Sequence, residues 1–151
     1  MSDLEELYQE VILDHYRRPR NHGELPGANR SAEGYNPLCG DRLTVYLKFE
    51  DGVVKGVSFE GSGCAISQAS ASVMTSALTG KHRAEIQALF DRFRAVVSGK
   101  GSEEDALALG ELGAMSGVSQ FPTRVKCATL AWHAALAALD GKETPPVSTE
   151  S

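Results

Sequence analysis

The sequence predicts an α+β fold in which a small antiparallel sheet packs against several helices. Two observations carry this. Residues 42–61, RLTVYLKFEDGVVKGVSFEG, alternate apolar and polar side chains on both sides of an Asp-Gly pair, the pattern of a β-hairpin closed by a tight turn. The segments before and after that hairpin repeat their apolar residues at helical spacing instead, so strands and helices are segregated along the chain.

The first helix is expected in DLEELYQEVILDHYRRPRN, residues 3–21, with Leu4, Leu7, Val11, Ile12 and Tyr16 on one face. Ser2 or Asp3 can cap it, acidic residues fill its first turn, and Arg17, Arg18 and Pro19 close it. Residues 20–34, rich in Gly, Asn and Pro, read as irregular loop. In the hairpin, Leu43, Val45, Leu47 and Phe49 share a face, and Val53, Val57 and Phe59 mark the returning strand, which Gly56 weakens. From Ala65 the period becomes helical, and AISQASASVMTSALTG ends at Gly80 in a C-cap signal. Its small side chains allow close approach to the sheet or to other helices. Three further helices are expected. HRAEIQALFDRFRAVVSG is amphipathic, SEEDALALG starts with a Ser102–Asp105 capping pattern, and TRVKCATLAWHAALAALDG follows Pro122 and stops at Gly141. Residues 1–141 thus form one domain, and KETPPVSTES, residues 142–151, reads as a mobile polar tail.

At 151 residues the chain can bury a core without staples, and 42% hydrophobic with 23% charged residues suits a globular protein. A net charge of −5 argues against a general nucleic-acid binder. No apolar run is long enough for a membrane span, and the acidic start MSDLEELYQE does not read as a targeting peptide. An odd count of three cysteines disfavours a disulfide framework and fits a reducing cytoplasmic setting.

Each cysteine sits at a junction between elements. Cys39 opens Cys-Gly-Asp in the loop before the hairpin, Cys64 ends GSGC where strand gives way to helix, and Cys127 lies in the first turns of the last helix. Two of them are near helix N-termini, where the macrodipole favours a thiolate. Cys39, Cys64 and Cys127 with Asp41 have the donor types of a closed tetrahedral zinc site. The spacing is not that of a zinc finger, so the fold would have to gather them. The residues alone leave open the plainer reading of buried structural cysteines and an exposed carboxylate.

Three stretches, YNPLCGD, GSGCAISQASASVMTSALTGK and RVKCATLAW, together resemble the U-type iron–sulfur scaffold superfamily. The likeness runs from LYQEVILDHYRRPRN to the last helix. Within the superfamily the chain resembles the zinc-binding SufU-like branch more than the IscU-like branch. IscU-like chains carry LPPVK and a His immediately before the third Cys, whereas this chain has FPTRVKC, with Lys126 in that place. The long segment between Cys64 and Cys127, including KGSEEDALALGELGAMSGVSQ, is typical of SufU-like chains.

The resemblance implies a zinc site built from Cys39, Asp41, Cys64 and Cys127. It also implies sulfurtransferase activity: acceptance of persulfide sulfur from a SufS-type cysteine desulfurase, and delivery toward downstream iron–sulfur assembly proteins. In such a scheme a zinc-bound thiolate is a subdued nucleophile, and a desulfurase His takes the vacated position so that one Cys is freed. Cys39 is the expected acceptor. Arg124, three residues before Cys127, faces the site at helical spacing as a possible auxiliary cation, while Arg124 and Lys126 read equally as solvated helix charges. His82 and His133 read as helix residues rather than ligands, His15 as a possible partner contact, and Trp132 as core or interface. Two rival functions share the same ligands: a scaffold carrying a transient iron–sulfur cluster, and a zinc-stabilised desulfurase activator that carries no sulfur.

Overall fold

A computed structural model describes residues 3–37, 39–141 and 147–148. Its elements run α1 (Asp3–Arg17), β1 (Arg30–Asn36), β2 (Asp41–Glu50), β3 (Val53–Ser62), α2 (Ala65–Leu78), α3 (Arg83–Val97), α4 (Glu103–Ala108), α5 (Glu111–Ala114), two 3₁₀ turns (Met115–Gln120 and Pro122–Arg124), α6 (Val125–Leu139) and β4 (Val147–Ser148). The sheet order is β3-β2-β1-β4, with β1, β2 and β3 antiparallel in sequence and β4 pairing in parallel to Gly34 and Tyr35. The α+β class read from the sequence is the architecture found. Of the tail expected to be mobile, residues 142–146 and 149–151 lie outside the described residues, as does Ser2 as a helix cap.

The hairpin turn is as anticipated. Asp51 and Gly52 both have positive φ, 55° and 76°, matching the twist of a type I′ connection. Leu43, Val45 and Leu47 are fully buried on one face. A register shift between Lys48 and Phe49 moves the inward residue of β3 from Val53 to Val54, which is fully buried.

The strand β1 corrects the reading of residues 20–34 as irregular loop throughout. Its inward residues are Ala32, Gly34 and Asn36, small or polar, so no apolar alternation marks it. The physical reason is α6, which lies against β1: a Cβ on Gly34 would come within 3.0 Å of the Leu130 side chain. Helix and strand approach too closely for branched residues.

Helix α1 also differs from its pattern. Val11, Ile12 and His15 are buried, but Leu7 is 38% and Tyr16 50% exposed. His15, anticipated as a partner contact, is interior. Its Nδ1 lies 2.7 Å from Ser72 Oγ and its Nε2 2.7 Å from Glu111 Oε2, tying α1 to α2 and α5. Ser72, on a helix rich in small residues, also accepts the Arg20 backbone N–H at 2.7 Å. Trp132 is core, stacked on Phe90 and Phe93. Among the described residues, no helix is long and apolar enough to cross a membrane.

Candidate metal centre

One end of the sheet gathers the residues singled out above. Asn36 and Asp41 are paired as the last residue of β1 and the first of β2, and Gly40 N–H donates to Asn36 O at 2.8 Å. Cys39 therefore rides the tip of a tight hairpin loop, and Gly40 supplies the φ of +71° that closes it. Cys64 is the N-cap of α2, its sulfur accepting the Ser67 N–H at 3.5 Å. Cys127 stands in the first turn of α6 and is fully buried.

The donor atoms of Cys39, Asp41 and Cys127 lie within 4.8 Å of one another. Cys39 and Cys127 Sγ are 3.3 Å apart, and Cys64 Sγ is 3.9 Å from Asp41 Oδ2. Zinc bonded to sulfur at about 2.3 Å and carboxylate oxygen at about 2.0 Å sets tetrahedral ligand atoms about 3.5–3.8 Å apart. The Cys39–Cys127 and Cys64–Asp41 separations bracket that range, and three soft sulfurs with one oxygen are donors that zinc accepts. Cys39, Asp41 and Cys127 form the close set that fits the ion, and Cys64 falls outside it, placed beside Asp41.

Asp41 is fully buried, which a lone carboxylate would resist. Its Oδ1 accepts the Cys64 backbone N–H at 2.8 Å, and its Oδ2 lies 3.4 Å from Asn36 Nδ2. The same Asn36 amide donates to Cys127 Sγ at 3.3 Å. Asn36 was not singled out in the sequence, although it stands in the YNPLCGD stretch. Its signal was a polar residue three before Cys39, visible only once the hairpin is closed. Such outer-shell donors orient ligands and tune them.

Arg124 reaches the site. Its Nη1 donates to Cys39 Sγ at 3.1 Å and lies 4.0 Å from Cys127 Sγ. The neighbouring sulfurs, Cys127 first, hold its guanidinium above the ordinary range. Without metal the cysteines divide their protons. The Cys127 hydrogen bond, opposed by burial and helped by Ser67, pulls Cys64 down to about 6. Cys127 moves up, because Cys64 engages its proton and burial disfavours the thiolate. At Cys64 the helix start contributes only through the Ser67 N–H, behind the Cys127 hydrogen bond, and at Cys127 the expected helix-start stabilisation of a thiolate is not found, because its thiol moves up. Tyr8 borders the same end: burial and then the Cys64 charge raise its phenol, while Arg124 lowers it. His82 is an exposed N-cap that contacts Gly52 O, and His133 packs edge-on against Phe90. Neither joins the cluster.

Gly63 shows how tightly the carboxylate is boxed in. A Cβ there would stand 2.6 Å from Asp41 Oδ1 and 2.5 Å from Ser67 Oγ. Gly63→Ala is expected to displace Asp41 and weaken zinc retention about tenfold, the size of a disturbed supporting contact, in a chelator competition titration. Its melting temperature should fall only slightly.

The profile of the NifU-like N-terminal domain family matches residues 7–128. A zinc-dependent sulfurtransferase SufU of Bacillus subtilis is 43% identical over 133 residues, covering 88% of this chain and 89% of the relative. An iron–sulfur cluster assembly scaffold protein IscU of Streptococcus pyogenes is 42% identical over 134 residues, covering 89% and 83%. The crystal structure of the N-terminal part of a nitrogen-fixing NifU-like protein from Brucella abortus superposes with a TM-score of 0.79 at 26% identity, covering 93% of this chain and 97% of that one.

Proposed function

The chain belongs to the NifU-like N-terminal domain family, and on that premise we propose that it is a zinc-dependent sulfurtransferase of iron–sulfur cluster assembly. In this reading it accepts sulfur from a SufS-type cysteine desulfurase, in the cytoplasm, and passes it to downstream assembly proteins. The observation that carries the proposal is the cluster of Cys39, Asp41 and Cys127 with Cys64 beside Asp41, whose donors suit zinc. The SufU relative supports zinc and sulfur transfer, and Lys126 in place of a histidine before Cys127 favours it over a scaffold.

Cys39, Asp41, Cys64 and Cys127 would hold the zinc. When bound, zinc supplies a redox-inert Lewis acid that keeps thiolates deprotonated at neutral pH. The chain's own residues then divide the work. Cys127 is fully buried and Cys64 is pinned at a helix cap, so both suit fixed roles. Cys39 is partly exposed, as Cys64 is, but sits on the hairpin tip and has Gly40 beside it in open space. Arg124 stabilises negative charge on Cys39 sulfur through its 3.1 Å contact. The Cys39 thiolate attacks the outer sulfur of the desulfurase persulfide. A new S–S bond forms at Cys39, the old one breaks, and the desulfurase cysteine leaves as a thiolate.

Elemental analysis of the purified protein is expected to give about one zinc per chain, as one closed site requires. Stoichiometric iron with acid-labile sulfide would instead assign the site to a cluster, the function named for the Streptococcus relative.

A further inference from the structure

The inward side chains of β1 meet α6 one turn at a time. A Cβ on Gly34 would stand 3.0 Å from the Leu130 side chain, and Asn36, the next inward residue, is 3.3 Å from the sulfur of Cys127, one turn earlier on the helix. Strand alternation and helical pitch thus bring a single strand side chain onto the first turn of α6. Asn36 is fully buried there, and its backbone is fixed. It pairs with Asp41 across the hairpin, and its carbonyl accepts the Gly40 N–H at 2.8 Å.

One amide nitrogen faces two members of the close ligand set. Asn36 Nδ2 donates to Cys127 Sγ at 3.3 Å and lies 3.4 Å from Asp41 Oδ2. That nitrogen carries two hydrogens, enough for both acceptors, where a Ser or Thr hydroxyl has one. An amide oxygen turned the same way would face two groups that are anionic when a metal is bound, so the nitrogen side is the one that suits the position. Asp41 accepts the Cys64 N–H on its other oxygen at 2.8 Å, and its carboxylate is therefore held from both sides. Cys127 and Asp41 belong to α6 and β2, and Asn36 is a side chain outside the ligand set that touches both.

We propose that Asn36 is a positioning residue of the metal centre: its amide nitrogen fixes the Cys127 sulfur and the Asp41 carboxylate relative to each other, so that this half of the ligand set is formed before the ion arrives. The proposal rests on the zinc-site reading. A neutral double donor suits the task, because it orients two anionic ligands without neutralising either, and its hydrogen bond lowers the donor strength of the Cys127 sulfur.

The test uses the full chain, with cobalt(II) as the spectroscopic probe and chelator competition to read zinc affinity. The wild type should show the intense near-ultraviolet sulfur-to-cobalt charge transfer of a tetrahedral thiolate site. Asn36→Leu fills nearly the same volume with no hydrogen to donate, and should hold zinc about ten- to a hundredfold more weakly. Its charge-transfer band should also move to longer wavelength, because a thiolate without its hydrogen bond gives up an electron more easily. Asn36→Ala should do the same, and supplies the test if Asn36→Leu fails to fold. Wild-type affinity and spectrum in either folded variant overturn the proposal and leave the zinc site standing. Weaker binding with an unmoved band also overturns it, since loosened packing alone would give that result. Absence of thiolate charge transfer in the wild type would instead remove the zinc-site reading, and the proposal with it.

Discussion

Cys39→Ser is expected to reduce sulfur acceptance from a SufS-type desulfurase about a hundredfold or more, to the rate of the desulfurase alone. A serine hydroxyl at neutral pH has neither the thiolate fraction nor the softness to attack a persulfide sulfur. The loss should occur even where zinc remains on Asp41, Cys64 and Cys127, because Cys39 rides the hairpin tip while Cys64, equally exposed, is held at a helix cap. Turnover with and without the variant, at matched zinc content, is the measurement. Full stimulation by Cys39→Ser would favour an activator that carries no sulfur.

Asp41→Ala should lower zinc affinity by about a hundredfold, the upper end of what the loss of a supporting contact costs, in competition with a chromophoric chelator. Desulfurase stimulation should fall with it. Two effects act together. The harder carboxylate ligand is removed, and the Cys64 N–H that it accepts at 2.8 Å loses its partner, which costs about 1–3 kcal/mol when buried. The zinc-loaded wild type should also melt above its metal-free form, since ligand a thousandfold above Kd adds about 4 kcal/mol. Asp41→Ala should lose most of that increment while its metal-free form stays folded. Unchanged zinc affinity would reduce Asp41 to a strand-start residue.

The readable parts of this chain are those where packing follows a periodic pattern. The β2–β3 hairpin was legible because its inward face is continuous and its turn is Asp-Gly. β1 was not, because its inward positions are filled by Ala32, Gly34 and Asn36 to let α6 come close. The same closeness hid Asn36, whose amide serves both Asp41 and Cys127. At the site, the three cysteines stood out as junction residues whose donor types with Asp41 suit zinc, but only the resemblance favoured that set over the reading of structural cysteines. Their separation in sequence carries no finger-like spacing, and the sheet end supplies the geometry. Arg124 followed from helical spacing to Cys127, although it precedes α6 in a 3₁₀ turn. His15 reads as a partner contact because it stands in the DHYRRPRN stretch of the resemblance; its burial depends on Ser72 and Glu111, contributed by distant helices.

The central claim is that Cys39 receives the sulfur, and locating that sulfur tests it most directly. The zinc-loaded wild-type protein is incubated with desulfurase and cysteine, alkylated, digested and analysed by peptide mass spectrometry. The added sulfur is expected on the Cys39 peptide in preference to those of Cys64 and Cys127. Sulfur found mainly on Cys64 or Cys127 would contradict the account.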